Sequence, residues 1–126
     1  MAIIVLDRDK PNAVEGYDYI SPWYGSESDV VGKTFELTGW GLNGPESWEN
    51  YSEVGVFHRG YNVVNQIVDN VVEYNFNDPN DGGLDLESTA NSGDSGGGAL
   101  LEAENGKLWH IGTKSYGYPA EYCENT

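Results

Sequence analysis

Apolar residues along this chain fall into short runs separated by turn-forming residues, a spacing that predicts strands. Residues 2–6 (AIIVL) form a continuous, largely β-branched run of strand length, closed by Asp7-Arg8-Asp9-Lys10-Pro11-Asn12. Residues 34–40 (TFELTGW) alternate, with Phe35, Leu37 and Gly39 on one side and Thr34, Glu36, Thr38 and Trp40 on the other. That is the pattern of a half-buried strand. Residues 98–103 and 107–115 flank Glu104-Asn105-Gly106, and Asn-Gly between two such runs predicts a hairpin. Residues 12–33 are polar and turn-rich. Their aromatics, Tyr17, Tyr19, Trp23 and Tyr24, have no regular spacing and are expected to pack in the core or at its rim. Residues 41–52 and 75–83 (NFNDPNDGG) have loop composition.

Segment 61–76 is ambiguous by pattern. Val63/Val64, Ile67/Val68 and Val71/Val72 recur every four residues, which is a helical period. The content is nevertheless almost wholly β-branched, and Asp69-Asn70 in the middle suits a turn between two strands. Period and residue type point in opposite directions, and the residues alone leave both open.

Composition narrows the picture. With 126 residues, 17 of them glycine and one methionine, the chain suits a single all-β domain rich in turns better than a helical bundle. No apolar run approaches the roughly 18–20 residues of a membrane span, so no membrane partner is expected. Twenty-one acidic against six basic residues give a formal charge of -15. Phosphate binding needs a positive face, so nucleic acid is excluded as a partner, and the acidity is read as a solubilising surface. The lone Cys123 permits no internal disulfide. Asn50-Tyr51-Ser52 fits a glycosylation acceptor, a triplet common by chance. The acidic stretch 77–85 does not make an EF-hand. Counted from Asp78, Gly82 takes the fifth position and Thr89 the twelfth; counted from Asn77, Pro79 takes the third. No metal and no cofactor are expected.

The stretch that carries chemistry is Gly93-Asp94-Ser95-Gly96-Gly97. Acyl transfer needs a serine hydroxyl presented on a tight turn beside backbone N–H groups free to receive an oxyanion. Glycines on both sides permit the unusual backbone angles and leave room for a substrate carbonyl. Four segments in order resemble the chymotrypsin/trypsin-like serine protease family. Residues 2–6 resemble the strand that follows the family's catalytic aspartate. Val31-Gly32-Lys33 leading to Leu37-Thr38-Gly39-Trp40-Gly41 resembles its GWG strand. Residues 93–97 resemble its nucleophile loop, with Gly98 where proline is usual, and Ile111-Gly112-Thr113-Lys114-Ser115-Tyr116-Gly117 resembles the strand that pairs with substrate.

The resemblance implies a chymotrypsin-like antiparallel β-barrel, here the C-terminal half of a double-barrel fold. Residues 1–126 would then lack the N-terminal barrel and the terminal strand and helix. It also implies that segment 61–76 is β. Carried over, Ser95 is the nucleophile of a serine endopeptidase, and Gly93 and Ser95 supply the oxyanion-hole amides. Asp94 matches the acidic residue that pairs with a new N-terminus in members activated by cleavage. Ser115, Tyr116 and Gly117 would bind the substrate strand and wall the primary pocket. Thr89 stands where trypsins hold an aspartate, so a small or apolar side chain is expected before the scissile bond, although Glu87 is near in sequence. The family's histidine and aspartate fall outside this chain. Asp7 and Asp9 follow the first strand and read as turn residues, His58 comes in the wrong order, and His110 sits in a strand, where packing is the expected role. Cys123 loosely matches a bridging cysteine whose partner position here is Asn91, so no bridge forms. The expected partners are a peptide or protein substrate and the missing N-terminal barrel, in a secreted or extracellular setting. The chain alone is expected to be inactive. The alternative is a protease-like binding protein without catalysis.

Overall fold

Alternation and turn chemistry produce seven strands in the computed structural model, which describes residues 5, 20–42, 55–77, 80, 82–85 and 87–117. They are β1 (Ser21–Pro22), β2 (Thr34–Gly39), β3 (His58–Val63), β4 (Gln66–Val68), β5 (Val71–Glu73), β6 (Gly98–Glu102) and β7 (Leu108–Thr113). One turn of 3-10 helix, Glu27–Asp29, precedes β2, and the described residues contain no α-helix. The chain is all-β. Of the strand expected over residues 2–6, only Val5 is described; it is exposed and belongs to no strand. The glycosylation triplet and Cys123 lie outside the described residues, as does most of the loop expected over 41–52.

Five strands form one sheet in the order β1-β7-β6-β2-β3, and β4 and β5 form a second. Among the described residues the larger sheet is open, with β1 and β3 at its edges, rather than closed into a barrel. The alternation read from residues 34–40 is realised: Phe35, Leu37 and Gly39 are buried, while Thr34 and Trp40 are exposed. Phe35 and Leu37 meet Val30, Val64, Ala99 and Leu101 in the core. Each fully buried side chain of this size contributes about 1.5–3 kcal/mol.

Segment 61–76 resolves as β, against its four-residue period. The β4–β5 hairpin pairs Ile67 with Val72 and closes on Asp69 and Asn70, whose φ angles are 50° and 61°. Two consecutive positive φ values define the tight turn that matches strand twist, and Asn and Asp tolerate them better than other side chains. The hairpin lays Ile67 and Val72 on the core, and Tyr74 meets Phe35 edge-on at 5.3 Å between ring centroids. Trp23 and Tyr24 stand edge-on to Trp109, at 5.7 and 5.3 Å, which puts them at the rim as expected.

A bulge in the β6–β7 ladder matters for the site. Leu100 pairs with His110 and Ala99 with Gly112, so Ile111 is an extra residue on β7. Directly opposed residues share a face of the sheet. Ala99 belongs to the core side, so the bulge brings Gly112, and two residues later Lys114, to that same side.

Candidate active site

Two β-turns in succession connect Asn91 to Gly97. The amide of Asp94 donates to Asn91 O and the amide of Gly97 to Asp94 O, both at 3.0 Å. The third residue of each turn is a glycine with positive φ, 94° at Gly93 and 83° at Gly96. Such a turn places that residue in a region side chains disfavour, which is why glycine recurs at this interval. Ser95 is the second residue of the second turn and is exposed.

Of the seven amides from residue 91 to 97, five donate within the protein. Asn91 N donates to Asp94 Oδ2 at 2.9 Å and Ser92 N to Asn91 Oδ1 at 2.8 Å. Asp94 N and Gly97 N close the turns, and Gly96 N donates to Lys114 O at 3.0 Å. The two left over among the described residues are Gly93 and Ser95. These are the amides an oxyanion hole built on this turn would use.

The turn is seated on the end of β2. Asp94 Oδ1 accepts the amide of Gly41 at 2.9 Å, and Leu42 N donates to Ser92 O at 2.9 Å. A Cβ at Gly41 would lie 2.7 Å from both Asp94 Cγ and Ser92 O, and one at Gly39 would overlap Asp94 Oδ1. The glycines either side of Trp40 are therefore the seat of the Asp94 carboxylate. Behind the turn, the Lys114 ammonium donates to Thr38 O, and its Nζ would be 3.2 Å from a Cβ at either Gly39 or Gly97. Desolvation lowers the pKa of Lys114 below 10.5, and the Asp94 carboxylate partly opposes that shift.

The segment past β7 is pinned beside the turn. Lys114 N donates to Gly97 O at 2.9 Å, the reciprocal of the Gly96–Lys114 bond. Ser115, Tyr116 and Gly117 continue from that point and are exposed. Thr89, also exposed, lines a small cleft with Ser88, His58, Leu42, Asp94 and Lys114. Its position is set by β3: Ser88 N donates to Tyr61 O at 2.9 Å, the buried Asn62 donates through Nδ2 to Ser88 O at 2.9 Å, and Gly60 leaves the space Ser88 fills. Glu87 does not line this cleft. Its Oε1 accepts the amide of Asn77 at 2.6 Å and its Oε2 that of Leu84 at 2.7 Å, so its carboxylate ties the acidic loop together.

Neither histidine bonds to Ser95. His58 lies opposite Gly39 in the β2–β3 ladder, with Nε2 shut off from solvent and without a hydrogen-bond partner. His110 Nε2 lies 3.2 Å from Thr113 Oγ1. No three His, Cys, Asp or Glu side chains among the described residues come together as a metal site would require. No described helix is long and apolar enough to cross a membrane.

Gly93, Asp94, Ser95 and Ser115–Gly117 are thus brought to one end of the sheet, with Thr89 at a cleft that Asp94 also lines. Sequence reading overlooked Asn62, the clamp of Glu87 and above all Lys114. Asn62 left a signal, a polar residue at an inward strand position. Comparison of the chain with protein-family models, with curated proteins and with solved structures finds no match.

Proposed function

We propose that this chain is the nucleophile-bearing part of a chymotrypsin-like serine endopeptidase, with Ser95 attacking a peptide carbonyl to form an acyl-enzyme that water hydrolyses. One observation carries the reading: among the described residues, the amides of Gly93 and Ser95 are the two of residues 91–97 that make no internal hydrogen bond, and one of them belongs to an exposed serine. The tetrahedral intermediate places a negative oxygen where both could donate, and each such donor is worth on the order of 10²–10³ in rate.

The general base in this reading comes from a polypeptide segment other than the one that carries His58 and His110, because neither is bonded to Ser95. Exposed Ser115–Gly117 would lie along the substrate backbone. Thr89 at the cleft, with the carboxylate of Glu87 spent on backbone amides, favours a small or apolar side chain before the scissile bond over a basic one.

The test is chemical rescue. A fluorophosphonate should label the purified chain slowly, and added imidazole, standing in for the base, should accelerate it. Ser95→Ala should abolish the label. Equal labelling of the two proteins, or a rate no higher than that of a free serine peptide at any imidazole concentration, removes the assignment.

A further inference from the structure

The Ser95 turn is tied to the rest of the fold by three backbone hydrogen bonds, Leu42 to Ser92 and the Gly96–Lys114 and Lys114–Gly97 pair, and by one carboxylate, whose charge a nearby cation favours. Asp94 spends its oxygens on Gly41 N and Asn91 N. The cation on which that carboxylate acts is Lys114. The bulge at Ile111 turns it to the core side of the sheet, where residues 39 and 97 have no side chains. Its Nζ and Asp94 Oδ1 share the space that a side chain at residue 39 would need. His58 and Arg59, from β3, are the other titratable or charged groups lining the same cleft.

We propose that Lys114 is the positioning residue of the Ser95 turn: its ammonium, anchored to β2 by its bond to Thr38 O, balances the Asp94 carboxylate across space, so that the amides of Gly93 and Ser95 stay turned out of the internal hydrogen-bond network. The carboxylate position that cleavage-activated proteases pair with a new N-terminus has its oxygens taken here by the amides of Gly41 and Asn91, and its charge opposed by Lys114 from within the folded chain. Preparing the nucleophile turn therefore requires no cleavage. The consequence for catalysis rests on the peptidase reading; the role of Lys114 in shaping the turn does not.

Three proteins decide it: wild type, Lys114→Met and Lys114→Arg. In imidazole-assisted fluorophosphonate labelling, Lys114→Met should slow the reaction by on the order of tenfold or more, the scale on which a misplaced oxyanion donor is felt. Lys114→Arg should recover most of the loss. The wild-type rate should fall as pH rises toward 10.5, because Lys114 loses its proton below its ordinary value. That alkaline decline should vanish in Lys114→Arg, whose guanidinium stays charged. An alkaline decline that persists in the arginine variant belongs to another group and overturns the proposal. So does a Lys114→Met protein that labels at the wild-type rate.

A second readout needs no activity. NMR shifts of the Gly93 and Ser95 amides should move in Lys114→Met and return in Lys114→Arg, while signals from the β4–β5 hairpin stay in place. Unchanged turn shifts refute the positioning role. Should Ser95→Ala label as well as wild type, the peptidase reading fails and the NMR arm alone judges Lys114. Should Lys114→Met not fold, the arginine variant and its pH profile decide.

Discussion

Strand β6 runs between two glycine-containing turns that look alike in sequence and differ in construction. The far turn, from Ala103 to Lys107, is closed by its own atoms. Gly106 N donates to Ala103 O at 2.8 Å, Ala103 N to Lys107 O at 2.9 Å, and Lys107 N to Asn105 Oδ1 at 3.0 Å. The near turn, around Ser95, also closes on itself through Asn91 and Asp94, but it is tied besides to other parts of the fold: Gly41 and Leu42 on one side, Lys114 on the other. Each turn leaves two amides undonated among the described residues, Glu104 and Asn105 in the far one and Gly93 and Ser95 in the near one, but only the near pair includes the amide of an exposed serine. A turn that only reverses the chain needs no contact outside its own hairpin. A turn tied outward through Asp94 and Ser92 to Gly41 and Leu42, and through Gly96 and Gly97 to Lys114, is restrained by the fold around it, and the origin of these added contacts separates the two.

The difference is sharpest at the glycines. A methyl at Gly41 would lie 2.7 Å from Asp94 Cγ and from the backbone oxygen of Ser92, neither of which can retreat without breaking the turn. Gly41→Ala should cost about 3 kcal/mol, the upper end of overpacking. At Gly106 the φ of 77° is unfavourable for a side chain, but the nearest atom to an added Cβ is Glu102 Oε1 at 3.9 Å. Gly106→Ala should cost about 1 kcal/mol from backbone conformation alone. Urea unfolding of the two variants measures both. Equal losses would mean that the near turn is as local as the far one.

The polar side chains give the next contrast. Asp94→Asn removes the charge behind two backbone hydrogen bonds and leaves Lys114 without a counter-charge; about 2 kcal/mol is expected, within the range for hydrogen bonds to ionised groups. Asn105→Ala removes one exposed bond to Lys107 N and should cost about 0.5 kcal/mol. Unfolding midpoints test the ratio, and fluorophosphonate labelling adds a second measure, since only the Asp94 variant should also slow the reaction at Ser95.

The same division explains what sequence could and could not reveal. The far turn was legible because Asn-Gly is a local instruction. So was β2, whose alternation maps directly onto buried Phe35 and Leu37. The β4–β5 hairpin was legible only in residue type: Asp69 and Asn70 accept positive φ, and the valines on either side suit strands, but their four-residue spacing imitates a helix. Ser95 and its glycines announced themselves through composition and through resemblance to a protease loop. Lys114 did not. Counting alternately from Trp109 sends Ile111 and Thr113 inward and Lys114 out to solvent. The extra residue at the bulge reverses that phase, and no feature of the sequence marks where a ladder will gain a residue. Glu87 misled in the opposite sense, since proximity to Thr89 along the chain suggests a pocket carboxylate. Its oxygens are occupied by Asn77 N and Leu84 N across the loop.

The smallest expected effect bears on the same contrast through pH. Lys114 is held partly away from water, so its folded-state pKa lies below 10.5. Between that lowered value and the ordinary one, the unfolded chain binds more protons than the folded chain, so stability rises with pH across this window. Below the window both states are protonated and the penalty of keeping a desolvated ammonium is fully present; above it neither is, and the penalty is gone. Lys107, in the far turn, is exposed, with its ammonium 3.9 Å from the centroid of the Trp109 ring. Subtracting the unfolding free energy of Lys114→Met from that of wild type should give a difference that climbs as pH rises toward 10.5. The slope vanishes if the ammonium is solvated like that of an exposed lysine, and it reverses if attraction to Asp94 outweighs desolvation. A reversed slope would make the near turn a net gain from its charges rather than a structure kept against their cost.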